Sequence, residues 1–265
     1  MSLTNKTIAN SYKDVLQVNN GNSGVDATTR QVKDGGGAGS SLFLSDDTLQ
    51  VRPVNDNTTT SFDVRNTSNT SLFSVDTTNT AVKALSQYAN TNVKEFGLSS
   101  KAAKPATANT WSPLSAMGTD SFNSTGWEMG TGATPLTSLD VSANAVNFNT
   151  AMSIWYVPFN IAIDSVHALV CADTTTGDTF KMSVMAYNIS TANDATGGDL
   201  SGGAEVCVSP STIAGAGSEQ IYYQSLTIST SDVDAGKAIV AFIHQDGVNS
   251  DLTVSMQLVY HLRSA

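Results

Sequence analysis

The chain has 265 residues, of which 14% are charged and 40% hydrophobic, with a formal net charge of −10. About 25% charged residues is usual for a soluble domain, so Ser, Thr, Asn and Gly must supply most of the polar surface here. The apolar content excludes a chain disordered by composition. The scarcity of Lys and Arg excludes a protein that wraps nucleic acid, and no apolar run reaches the roughly 20 residues needed to span a membrane. Thr, Val and Ile favour strands while Asn, Asp and Gly favour turns, which predicts an all-β fold.

Residues 1–40 are expected to form an N-terminal docking arm. Ile8, Tyr12, Val15 and Leu16 fit one or two turns of amphipathic helix, or equally an extended segment laid on a partner. No basic-then-apolar segment resembling a signal peptide opens the chain. The polar stretches NNGNSGVD and DGGGAGSS that follow read as turn and loop.

Residues 41–84 read as a run of very short strands, each with two or three alternating apolar residues and each closed by an Asn/Asp turn. The apolar positions are Leu42 with Leu44, Leu49 with Val51, Phe62 with Val64, and Phe73 with Val75. So narrow a strand face gives no monomeric core, and an isolated hairpin of this length is marginal in water. These eight residues are therefore the candidate interface between copies of the chain, with a small independent β-domain as the alternative.

Residues 85–126 read as a connector, with SSKAAKPATANTWSP as its linker, and Trp111 and Trp127 flank the start of the next domain. Residues 127–265 are expected to fold as an antiparallel β-sandwich, jelly-roll-like, from about eight strands. The clearest is Asp251–Leu262, where Leu252, Val254, Met256, Leu258, Tyr260 and Leu262 alternate with other residues. Other runs are 138–148, 153–159, 164–172, 179–189, 204–208, 220–228 and 237–244. Ala238–Ile243 is apolar on both sides, as in a strand covered on both faces. Residues 114–265 hold three Lys/Arg against fourteen Asp/Glu, while 1–113 hold ten against nine. This acidity suits an outward-facing, self-repelling surface.

Chemistry-bearing motifs are scarce. His167, His244 and His261 have no zinc-type spacing, and Cys171 and Cys207 make no disulfide framework. GGGAGSS lacks the lysine and helix of a phosphate loop, and no GxSxG elbow is present. Asp173 with Asp178, Asp232 with Asp234, and Asp246 with Asp251 are spaced as ordinary loop acids, while two glutamates, Glu128 and Glu205, fall in strand-like surroundings. The expectation is a non-enzyme with no catalytic residue, metal or cofactor. Trp155, Tyr156, Tyr187, Tyr222 and Tyr223 lie in strands, where one of each adjacent pair must point outward, toward a subunit contact or a sugar ring.

The segments KTIANSYKDVLQVNNGNSGVDATTRQVKDGGG and LFLSDDTLQVRPVNDNTTTSFDVRNTSNTSLFSVDTTNTAVKA, residues 5–84, resemble the opening of fibre-like structural proteins of marine tailed bacteriophages. The unit SFDVRNTSNTSLFSVDTTNTAV is similar to a segment that recurs in trimeric phage fibres. The resemblance implies a homotrimer attached to other virion proteins of the capsid, neck or tail through its N-terminal part, and it carries over no catalytic residue. The expected function is thus a structural appendage of the virion, with a host-surface glycan as a further partner of its sandwich. A capsid decoration protein, a carbohydrate-binding module and a tailspike-type hydrolase are the alternatives.

Overall fold

The computed structural model describes residues 15–18, 20–21, 23–100, 109–116, 128–139, 153–173, 179–190, 200–214, 220–246 and 251–263. Nearly all of their regular structure is β. The chain divides into two compact units, Met1–Ala89 and Asn90–Ala265. The amphipathic pattern at Ile8 and Tyr12 lies outside the described residues, and Val15 and Leu16 are exposed and belong to no helix or strand.

The first unit holds two successive four-stranded antiparallel meanders. One is β1 (Gln17–Val18), β2 (Arg30–Lys33), β3 (Gly39–Leu44) and β4 (Leu49–Val51). The other is β5 (Phe62–Arg65), β6 (Ser71–Asp76), β7 (Ala81–Ala84) and β8 (Gln87–Tyr88). Their turns follow from side-chain chemistry. The Gly-rich DGGGAG stretch closes the β2–β3 hairpin, with the Ala38 amide donating to the Asp34 carboxylate at 2.8 Å. Asn66 accepts from the amides of Ser68 and Thr70 between β5 and β6, and Asn69 there takes the left-handed conformation that Asn tolerates. Leu85 and Ser86 both have positive φ, the geometry of a two-residue type I′ turn, which twists with its strands.

The second unit is a β-sandwich. Its strands are β9 (Thr91–Ser100), β10 (Thr110–Pro113), β11 (Trp155–Tyr156), β12 (Ile161–Asp173), β13 (Thr179–Ile189), β14 (Leu200–Val208), β15 (Ile213–Ala214), β16 (Gln220–Ser225), β17 (Thr227–Ile228), β18 (Asp232–Val233), β19 (Lys237–Gln245) and β20 (Asp251–Leu262). One sheet runs β10-β19-β13-β14-β17, with β11 on β19 and β15 on β13; the other runs β16-β12-β20-β9, with β18 on β12. The chain passes repeatedly from one sheet to the other, so neighbours in space are distant in sequence.

The main core lies between the sheets and includes Phe96, Val166, Val170, Phe180, Met182, Ile239, Ile243, Met256 and Leu258. Fully burying one such side chain contributes about 1.5–3 kcal/mol, which is why the period-2 runs of β12, β13 and β20 dominate the fold. A bulge between Ile163 and Ser165 shifts the phase of β12, so that Ile161 and Ile163 face inward before it and Val166, Ala168 and Val170 after it. Without that extra residue one half of the strand would present its apolar side to water.

A second core covers the other face of the seven-stranded sheet: Trp111, Met129, Leu139, Met185, Tyr187, Leu200, Ala238, Val240 and Phe242. β19 thus sits between two cores, as its double-sided apolar run requires. Gly203 of β14 lies so close to Tyr187 that a Cβ would stand 2.4 Å from the ring, so only glycine fits.

Two strands of the sandwich fall within residues 85–126, the stretch expected as a connector. β9 pairs with β20 over ten residues and β10 with β19 over four. Their polar, weakly patterned sequences, TNVKEFGLSS and TWSP, conceal the pairing because β9 is a sheet edge, and of the side chains described in it Phe96 is the one hydrophobic residue buried in the core. The run expected at 138–148 lies mostly outside the described residues; Leu139 makes a bridge to Leu200. Trp127 lies outside them too.

Candidate functional site

The eight interface candidates form two shared faces. In the second meander, Phe62 stands beside Val75 and Val75 beside Val82, while Val64 stands beside Phe73 and Phe73 beside Ala84. Across β5, β6 and β7 one side of the sheet is therefore apolar, and Gln87 of β8, beside Ala84, gives it a polar edge. It is also uncovered within the chain: Phe62, Val64, Phe73 and Val82 are 42%, 43%, 38% and 40% exposed. Phe62 and Phe73 meet edge to face at 6.2 Å.

The opposite side of this sheet is polar and internally satisfied. The Ser71 hydroxyl donates to Asp63 at 2.6 Å, the Asn79 amide group to Asp76 at 2.8 Å, and Lys83 lies 3.7 Å from Asp76 and over the Tyr88 ring. Hydrogen bonds from Ser71 and then Arg65 hold the Asp63 carboxyl below its usual range, and those from Asn79 do the same for Asp76. In the first meander Leu42 pairs with Val51 and Leu44 with Leu49. Leu42 and Leu44 are half-buried and Leu49 and Val51 exposed, whereas Phe43 turns the other way, buried under the Arg52 guanidinium. None of the eight is buried within the chain. Val82 completes the second face and was legible in TAVKA, a short strand whose apolar residues are few.

The other polar and reactive residues fall apart from one another. His244 packs edge to face on Trp111 at 5.0 Å, and burial and then Lys181 hold its pKa down. His261 contacts Asp164 at 2.9 Å, and His167 bonds to the Tyr223 hydroxyl at 3.0 Å. Cys207 is buried in the core, which pushes its thiol up, while Cys171 is exposed, and both are free. Among the described residues no group of three or more His, Cys, Asp or Glu side chains could hold a metal. Asp232 and Asp234 bind Arg263, Asp246 takes the Thr179 hydroxyl at 2.6 Å, and Glu205 takes the Ser229 hydroxyl at 2.9 Å. These acids are engaged in fastening loops and strand ends.

Of the five aromatic candidates, Tyr187 is buried with its hydroxyl donating to the Leu136 carbonyl, Tyr222 packs edge to face on Phe180, and Trp155 packs on Tyr260. Tyr156 and Tyr223 point outward.

No protein-family model matches the chain, and no curated protein is similar to it. Among solved structures it is similar to an aminopeptidase from a marine sediment Thaumarchaeota archaeon, at 9% identity and a TM-score of 0.31. That alignment covers 71% of this chain and 38% of the aminopeptidase chain, so this chain spans well under half of it. A likeness so faint carries no activity across.

Proposed function

We propose that this chain is a structural protein of a tailed bacteriophage particle, a homotrimeric appendage that attaches by its N-terminal part and displays the sandwich for adhesion to a host surface. The supporting observation is the uncovered apolar face of β5–β8. A four-stranded sheet with one apolar side needs a second layer, because strands gain stability only when that side is removed from water. The polar side is already saturated by its own hydrogen bonds, so the second layer belongs on the Phe62–Phe73–Val82 side. The occupant is the same face of further copies of this chain. Identical faces around one axis give a closed assembly in which every copy is covered alike. On the β5–β8 face Phe62, Val64, Phe73, Val75 and Val82 carry no charge, so bringing these residues together desolvates no ion among them. The particle itself is proposed from the resemblance of residues 5–84.

Native mass spectrometry of the full chain tests the assembly. The expected mass is three times the 27.6 kDa chain. The triple variant F62S/F73S/V82S is expected to be monomeric, with the near-ultraviolet circular dichroism of the sandwich, which holds Trp111 and Trp155, unchanged. A monomeric parent chain, or a trimer indifferent to the three substitutions, overturns the reading.

A further inference from the structure

The outer face of the five-stranded sheet holds a solvent-open depression of about 320 Å³, lined by His167, Leu169, Tyr223, Ser255 and Gln257. Strand register brings these residues together. Tyr223 of β16 stands beside Leu169 of β12, and Leu169 beside Ser255 of β20; in the next row His167 stands beside Gln257, and Gln257 beside Glu95 of β9. Neighbouring strands lie about 4.8 Å apart, so the two rows form a compact platform.

We propose that this depression binds a neutral glycan segment, with the Tyr223 ring as its stacking surface, His167 holding that ring, and Ser255 and Gln257 as partners for sugar hydroxyls. The proposal rests on the adhesive part of the reading above and gives that adhesion a ligand class. Four features carry it.

The first is the Tyr223 ring, 61% exposed on a strand whose next residue, Gln224, is buried. An aromatic ring this open offers a flat apolar face to the C–H side of a sugar, leaving the hydroxyls at its rim to find polar partners.

The second is that this ring is held in place before any ligand arrives. The Ser165 hydroxyl lies 3.1 Å from His167 Nε2, and His167 Nδ1 lies 3.0 Å from the Tyr223 hydroxyl. The two rings are inclined by only 16°. A ring fixed by such a relay loses little conformational freedom on binding, which is how a shallow site gains affinity.

The third is the polar complement. Ser255 and Gln257 each combine donor and acceptor capacity, as a sugar hydroxyl does. Gln257 makes one long contact to Glu95, 3.4 Å, which engages one of its two N–H donors.

The fourth is charge. None of the five lining residues is Lys or Arg, and the adjoining charged group is the Glu95 carboxylate. Residues 90–265 carry six Lys/Arg against fifteen Asp/Glu. A phosphate or carboxylate ligand would meet repulsion and no Lys or Arg among the described lining residues, which selects a neutral sugar.

The test uses the full chain and four probes: maltohexaose, mannohexaose and a galactose hexamer as neutral glycans, and a galacturonic acid hexamer as the anionic one. Saturation-transfer NMR and calorimetry read binding, and native mass spectrometry reads assembly on the same samples. Saturable binding of at least one neutral hexamer is expected, weakened about tenfold by Y223A and less by Q257A, with the assembly state unchanged. Y223F, which keeps the ring but loses its bond to His167, should bind more weakly than the parent chain and more tightly than Y223A. Absence of binding to all three neutral hexamers, preference for the anionic hexamer, or binding indifferent to both Y223A and Q257A each overturns the proposal. Loss of the trimer on Y223A also overturns it, since the face would then be a subunit contact. A monomeric parent chain that binds through Tyr223 would overturn the trimer and leave the glycan site standing.

Discussion

Trp111 shows how much one side chain does for this sandwich. Its ring is fully buried on the outer side of the seven-stranded sheet, its indole N–H donates to the Gly132 carbonyl at 3.0 Å, and the Lys181 ammonium lies 5.1 Å from the ring centre. It therefore fastens the segment around Gly132 to β10 and fills the second core at once. Trp111→Ala should cost about 3–5 kcal/mol, because the cavity it leaves cannot collapse between paired strands. Trp111→Phe keeps most of the volume but orphans the carbonyl, and should cost about 1–3 kcal/mol. Urea unfolding followed by far-ultraviolet circular dichroism gives both values. A loss below 1 kcal/mol for the alanine variant would show that the second core is not a cooperative part of the fold.

At the scale of an element, the β5–β8 meander is the informative piece, since its two faces are built by different forces. The apolar face awaits cover, and the polar face holds the sheet together through Asp63 and Asp76. Both carboxyls titrate below their ordinary range when folded, so the unfolded chain binds more protons in the acid window. The stability they contribute is present in full above about pH 4 and is lost as pH falls through their depressed folded values. Asp26 in the first unit, lowered to about 2 by Arg30 and the Thr28 amide, follows the same rule. Hydrogen exchange of the β5–β8 amides between pH 5 and pH 2.5, corrected for intrinsic rates, should show falling protection in the parent chain. In the variant D63N/D76N the dependence should flatten, and an unchanged slope would refute this account.

For the whole molecule, the division at Ala89 and Asn90 sets what can be cut away. A fragment of residues 90–265 keeps β9 on β20 and β10 on β19, and is expected to fold as a monomer with cooperative unfolding. A fragment of residues 120–265 loses both strands. It would uncover Met256 and Leu258 along β20 and strip Trp111 from the second core, so it should aggregate or remain unfolded. Light scattering and near-ultraviolet circular dichroism of the two fragments separate these outcomes. A folded 120–265 fragment would mean that the sandwich closes without its edge strand.

The sequence by itself determined the all-β class, because alternation in Asp251–Leu262 and the double-sided run in Ala238–Ile243 are direct records of which faces leave water. It also determined that Phe62 shares a side with Val64 and Phe73 with Val75, since a period of two leaves alternate positions on one side of a strand. Membership of β9 and β10 in the sandwich was not legible, because an edge strand gains its place from backbone pairing, to which side chains contribute little pattern. Nor was the meeting of His167, Tyr223 and Gln257, which lie 56 and 34 residues apart along the chain. Only the register of β16, β12 and β20 decides that contact, and register is fixed by how the apolar sides of all three strands settle on one core.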